Sequence, residues 1–242
     1  MVGKTPELNS VAIMQPYLFP YIGYFQLVAS SDCFVFLDDV TFIKSGWINR
    51  NYILMNGSPF RFTFPLAGIS SNVLIRDLQL FDFSEQSKLF MKHIKYAYGK
   101  SYFFSSGMSY IELVLATSPK TINELAQASI TCFFNWIGLK KEFLSTSNHF
   151  IEKSNMKGED RIIDICKRLT CNVYINPEGG RELYSQSKFQ ERGVTLRFLH
   201  SNLDSRLALS PQNIRGYSII HLAMNLSKKN ILSQLLEYKI LK

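Results

Sequence analysis

The chain has 242 residues, enough to bury one substantial core without disulfides or a structural metal. Hydrophobic residues make up 46% and charged residues 19%, which excludes a disordered chain. The 27 Lys and Arg against 19 Asp and Glu give a charge of +8, which favours anionic partners without choosing among phosphate, nucleic acid and an acidic membrane face.

The apolar run at 11–14 reads as a buried strand. A loop with Pro16, Pro20 and Gly23 follows, and residues 23–31 read as a short helix ending before Asp32. The aromatic and β-branched stretch 33–42 predicts a second strand closing on Asp38 and Asp39. Strand, helix, strand is the skeleton of a parallel βαβ unit. Two apolar runs flank Asn56-Gly57, a strong hairpin turn. A third strand is predicted at 73–80, and helices at 85–98, 109–116 and 122–137. Residues 144–158 are polar and turn-rich and predict a mobile loop or subdomain boundary within a single domain spanning 1–242. Beyond it come an amphipathic helix at 159–169, a strand from 171 into Gly179-Gly180, a short helix at 187–193, a strand at 194–200 and a helical C-terminal stretch from 217 to 240. The expected class is α/β, with a mainly parallel central sheet, flanking helices and a helical C-terminal part.

The cysteines, Cys33, Cys132, Cys166 and Cys171, form no CxxC pair and read as reduced, mostly buried thiols. Cysteine and histidine are not clustered as zinc requires, so no metal is expected. The first ten residues lack the apolar core of a signal peptide, and no apolar run approaches the ~20 residues of a membrane helix. The expectation is a soluble protein of the reducing cytoplasm, with its oligomeric state open.

Two windows carry more placed polar groups than packing needs. The first holds Gln15, Tyr17, Tyr21 and Tyr24, then Asp38 and Asp39, then Lys44, Trp47, Asn49, Arg50 and Asn51. In an open α/β sheet ligands bind beyond the carboxyl ends of the strands, where Gln15 and Asp38-Asp39 fall. Structural alternatives stand beside each residue: the rings pack the loop, the two acids cap a turn, and Arg50 is a surface ion-pair residue. The second window, 177–184, offers a Gly-Gly turn as a weak anion signal. Neither a Walker loop nor a dinucleotide fingerprint is present, and no histidine stands in a catalytic motif.

Gln15-Pro16-Tyr17, the run from Phe19 to Phe25, Asp38-Asp39 and the run from Gly46 to Asn51 together resemble the opening of the WbqC-like proteins. Pro65-Leu66, the segment Arg161 to Cys166, and Tyr184 followed by Phe189 are similar as well, so the resemblance covers nearly the whole chain. His221 stands where the family pattern leads one to expect an acid. Members of the family occur among bacterial O-antigen and lipopolysaccharide genes, some of which make 4-amino-4,6-dideoxy sugars bearing acyl or aminoacyl groups. The resemblance implies a transferase that N-acylates a nucleotide-diphosphate amino sugar. Asp39 or Asp38 would take the amine proton, and Tyr21, Tyr24 or Gln15 would steady the oxyanion. Lys44 and Arg50 would hold the diphosphate and Trp47 or a loop tyrosine stack on the base; Tyr17, Asn49, Asn51, Arg161 and Tyr184 complete the substrate set. No covalently bound cofactor is implied. The open choices for the acyl donor are an acyl-CoA or other thioester, an acyl-adenylate made from ATP, and an aminoacyl-tRNA, the last compatible with the charge but not favoured. A weaker likeness links Tyr21-Ile22-Gly23-Tyr24 to the HxGH of nucleotidylyltransferases, with a Rossmann-like or HUP-like N-terminal half. Tyrosines replace both histidines, and a tyrosine is no cation at neutral pH. The alternatives are thus a nucleotidylyltransferase-like enzyme, in which the two acids hold magnesium, and a non-catalytic partner in polysaccharide assembly.

Overall fold

The structure is a computed structural model that describes residues 9–70, 72–150, 156–202 and 216–242. β1 (Ser10–Met14) leads through the proline loop to α1 (Ile22–Ser30) and β2 (Cys33–Phe36). The hairpin of β3 (Arg50–Met55) and β4 (Ser58–Thr63) follows, then a ribbon of β5 (Leu66–Ala67) and β6 (Gln79–Leu80). Next come α2 (Phe83–Tyr98), α3 (Phe104–Leu115) and α4 (Ile122–Ile137). β7 (Glu142–Ser145), α5 (Thr146–His149), α6 (Gly158–Arg168), β8 (Val173–Pro177), α7 (Gln186–Glu191) and β9 (Thr195–Ser201) follow. The chain closes with α8 (Ile219–Asn225), α9 (Lys228–Leu235) and β10 (Tyr238–Leu241).

The main sheet runs β10-β9-β8-β1-β2-β7, and every neighbouring pair is parallel except β9 with β10. Counted within the sheet, the order is 3-2-1-4-5-6 from the β7 edge. The chain therefore moves outward from β1 to β2 and β7, then returns to the other side of β1 for β8. Alternate residues of each strand feed opposite faces. Ala12, Phe34, Phe36 and Ile175 enter one core with α1 and α4. Val11, Ile13, Val35 and Tyr174 enter the other with α6 and α7. Burial on both faces is why these strands read as continuous apolar runs.

Several expected elements take another form. β2 stops at Phe36, so Asp38 and Asp39 lie beyond the strand. The strand expected at 73–80 is a 3-10 turn at Ile75–Asp77 followed by two residues of β6; Ile75 and Leu78 are buried and Arg76 and Asp77 between them both face solvent, a three-residue spacing that suits a turn and not a strand. The stretch from 217 is not all helical: after α8 and α9 it ends in β10, which joins the main sheet, while β8 and β9 stand where strands are expected. The first part of the polar segment 144–158 is strand end and helical turn, while 151–155 lie outside the described residues. Asn56 (φ 49°) and Gly57 (φ 73°) form the left-handed hairpin turn their types favour. Thr121 and Glu124 form a capping box at α4.

Cys33, Cys166 and Cys171 are buried and Cys132 is half-buried, all as free thiols. Burial pushes Cys33 and Cys166 up to about 12, which leaves them unreactive at neutral pH. No described helix is long and apolar enough to cross a membrane.

His221 on α8 meets Tyr98 of α2. The Tyr98 hydroxyl accepts from the Leu54 backbone N–H at 3.0 Å and faces His221 Nδ1 at 3.2 Å. Burial lowers the imidazole pKa below its ordinary value. As pH falls, the unfolded imidazole takes up its proton before the folded one, so this contribution is complete above about pH 6.5 and shrinks below it. The melting temperature should accordingly fall more between pH 7 and pH 5 for the natural protein than for His221→Asn. Equal slopes would remove His221 from the acid response.

Candidate functional site

A cleft of about 560 Å³ opens at the carboxyl edge of the sheet, between β1 and β8. This is where the chain reverses its direction of strand addition, so the loops after β1 and β8 leave toward opposite faces and part. Ile13, Met14 and Gln15 at the end of β1, Leu37 beyond β2, and Asn176 with Pro177 at the end of β8 line its base. Tyr17, Pro20, Tyr21, Ile43 and Trp47 form one side; Gly179, Gly180, Leu183 and Tyr184 form the other. Ile162, Asn51 and Gly216 complete it, and none of these lining residues carries a charge.

The loop after β1 is held in an uncommon conformation. Phe19 has φ 42°, a left-handed value that costs a bulky residue energy. Its N–H donates to Ser129 Oγ at 2.9 Å, and its carbonyl accepts from Asn51 Nδ2 at 2.8 Å. Asn51 Nδ2 also reaches Leu18 O at 3.1 Å, while Asn51 Oδ1 accepts from the Tyr52 N–H at 2.8 Å. Leu18 N–H donates to Trp47 O at 3.0 Å. The two halves of the N-terminal motif thus clasp each other, and the clasp presents Tyr17, Tyr21 and Trp47 to the cleft.

Of the thirteen residues singled out from the sequence, the cleft gathers Gln15, Tyr17, Tyr21, Trp47, Asn51 and Tyr184. Gln15 is half-buried and its side-chain amide has no partner among the described residues. Tyr17 packs on Tyr24 at 5.6 Å between ring centroids; burial, then neighbouring Tyr21, raises its pKa, so its hydroxyl stays a donor. Tyr24 does not face the cleft: it is buried and its hydroxyl donates to Gln15 O at 2.8 Å. That bond anchors the end of β1 and leaves Tyr24 out of reach of an oxyanion. Asn49 is buried too, with Nδ2 donating to Phe64 O at 3.0 Å.

Asp38 and Asp39 part company. Asp38 is completely buried. Its Oδ1 lies 2.9 Å from Thr146 Oγ1 and accepts from the Ser147 N–H at 2.9 Å. Its Oδ2 accepts from Asn123 Nδ2 at 2.9 Å, Gln127 Nε2 at 3.3 Å and Ser147 Oγ at 2.7 Å. These donors occupy the carboxylate's lone pairs and leave none for a substrate amine or magnesium. Asp38 ties the end of β2 to α4 and α5. Asp39 is the more open acid: its side chain is 23% exposed, with Oδ1 2.7 Å from Thr146 Oγ1 and Oδ2 accepting from Arg161 Nη2 at 3.1 Å. Thr146 has one hydroxyl proton, so it serves one of the two acids at a time. Arg161 is nine-tenths buried and also lies 3.8 Å from Asp164. Arg161 therefore faces an acid of the protein itself.

Among the described residues, four cations adjoin lining residues in the chain: Lys44, Arg50, Arg161 and Arg181. Arg161 is held by Asp39, and Arg181 lies over the Phe198 ring and donates to Lys242 O at 3.0 Å. Lys44 is exposed, and Arg50 is half-buried with its Nε lacking a partner. Arg50 shares the outward face of β3 with Tyr52, whose ring meets Trp47 at 6.0 Å.

The second wall is the 177–184 window, whose Gly-Gly turn is only a weak anion signal in the sequence. A Cβ at Gly180 would lie 2.3 Å from Asn176 Nδ2, so any side chain there makes the Asn176 amide give way. Asn176 Oδ1 accepts from the Tyr174 hydroxyl at 3.1 Å, and the Tyr174 hydroxyl stands 3.4 Å from that of Tyr184. Gly180→Ala should displace the Asn176 amide and cost about 1–3 kcal/mol by overpacking. An unchanged melting temperature would show that this wall yields freely.

The WbqC-like protein family is matched over residues 15–232, a span that includes every lining residue of the cleft except Ile13 and Met14. The uncharacterized protein Rv1507c of Mycobacterium tuberculosis is similar, 22% identical over 189 residues that cover 77% of this chain and 80% of the relative. No solved structure matches the chain.

Proposed function

The chain belongs to the WbqC-like protein family, and we propose that it is a transferase that joins an acyl or aminoacyl group to the amine of a nucleotide-linked amino sugar for bacterial surface polysaccharide. The observation that carries this reading is the uncharged, aromatic-sided cleft at the strand-order reversal, with the unpaired Gln15 amide at its base. A deoxy sugar offers apolar C–H faces to rings such as Trp47 and Tyr17, and a few polar groups for Gln15 and the Tyr17 hydroxyl. The strand order 3-2-1-4-5-6 supports a Rossmann-like nucleotide-binding reading, although the dinucleotide fingerprint is missing. Lys44 and Arg50 beside the rim would meet the diphosphate.

In the reaction the sugar amine attacks the acyl carbonyl of the donor. The new C–N bond forms, the donor's C–S or C–O bond breaks, and the amine proton passes to Asp39, which does not line the cleft but stands partly exposed two residues beyond the lining Leu37. Tyr17 and Gln15 are the uncharged donors best suited to the carbonyl oxygen as it gains charge. The adenylyl-transfer alternative has less support, since Tyr24 is committed to Gln15 O and Asp38 to four protein donors besides the Thr146 hydroxyl that it shares with Asp39.

The direct test is calorimetric titration with a nucleoside diphosphate 4-amino-4,6-dideoxyhexose, beside the sugar composition of surface polysaccharide with and without the gene. Trp47→Ala should weaken binding about tenfold or more. Arg50→Ala should weaken it more in low salt than in high salt, because screening already reduces the attraction. Binding indifferent to Trp47, together with an unchanged amide substituent on the polysaccharide, would sink the reading.

A further inference from the structure

A second concavity lies far from this chemistry in residue content, sharing no lining residue with the cleft. α2 rests on β3, while α3 rests on α4 and α8. The two helices are supported by different partners, so they part and leave a groove of about 620 Å³ between them. Met91, Phe104 and Met108 line it as apolar groups, Lys92 and Lys95 stand on the α2 side, and Glu112 stands on the α3 side. Lys92, Lys95 and Glu112 have no side-chain partner among the described residues.

We infer that this groove docks an acidic amphipathic helix of a partner protein. Two methionines and a phenylalanine form an adaptable apolar floor, which suits the apolar stripe of a helix. Lys92 and Lys95, three residues apart, project from one side of α2. They match carboxylates spaced one turn apart along the same edge of an incoming helix. Glu112 on the opposite rim decides against nucleic acid, because a continuous phosphate backbone would meet a carboxylate there. It fits a helix whose second edge carries a cation. The inference is independent of the sugar-transfer reading.

The test is fluorescence anisotropy with the full chain and a labelled synthetic helix of about four turns, carrying a leucine stripe, glutamates along one edge and one lysine on the other. A second peptide has lysines in place of the glutamates, and an oligouridylate is the third probe. The acidic helix should bind saturably and at least about tenfold tighter than its lysine counterpart. Lys92→Glu with Lys95→Glu should reverse that preference, and these exposed changes leave the core intact. Met108→Gln, nearly isosteric, should weaken the acidic helix while leaving the melting temperature within a few degrees. Equal affinity for the two peptides, tighter binding of the oligouridylate, or no saturable binding would overturn the inference. So would self-association in sedimentation that the lysine reversals abolish, since the occupant would then be a second copy of this chain.

Discussion

Asp38→Asn is expected to destabilise the protein by about 2–4 kcal/mol, because it leaves buried donors without the acceptor they share. Asparagine has one acceptor oxygen where the carboxylate has two, and its amide N–H groups would face the amides of Asn123 and Gln127. For a chain of this length the melting temperature should fall by about 5–15 °C. Turnover per folded molecule should change little, since Asp38 is completely buried and protein donors take its carboxylate lone pairs. Thermal and urea unfolding measure the first effect, and specific activity at a temperature well below the transition measures the second. A loss of turnover with undiminished stability would reverse the roles of the two acids.

The division between Asp38 and Asp39 marks where reading the chain alone ran out. Apolar continuity at 11–14 and 33–36 was enough to indicate buried parallel strands, because burial on both faces leaves no alternation to misread. Asn56-Gly57 announced the hairpin through the backbone conformation it favours. β7 and β10 were missed because they are four-residue edge strands with exposed residues, Glu142 in one and Lys239 and Ile240 in the other. The motif from Gly46 to Asn51 was legible as unusual but not as to purpose. Asn49 and Asn51 turned out to bond backbone carbonyls, which their types permit as readily as ligand binding. A side chain's direction depends on the φ of Phe19 and on contacts with Ser129, more than a hundred positions away. The Gly180 wall had one usable signal, a Gly-Gly pair directly after a strand. Only the approach of Asn176 shows what a side chain at the second glycine would displace.

Asp39→Asn carries the larger expected effect on chemistry. If Asp39 accepts the amine proton in the proposed transfer, turnover should fall by about 10²–10⁴-fold, the usual worth of a general base. The Trp47 and Tyr17 side of the cleft is untouched by the change, so substrate affinity should be largely retained. The stability change should be smaller than that of Asp38→Asn, because Asp39 is partly exposed and has fewer partners. Arg161 enters the same argument as a positioning residue, since its Nη2 fixes Asp39 Oδ2. Arg161→Lys keeps a cation but not the planar fork, so it should lower kcat while leaving KM near its original value. Arg161→Ala leaves Asp39 free to turn and should lower kcat further. A merely structural pairing would instead lower the melting temperature in both arginine variants with turnover per folded molecule unchanged. If Asp39→Asn keeps more than a tenth of the original turnover, the proton leaves by another route. The carboxylate would then serve only to anchor Arg161 beside Ile162 and the cleft.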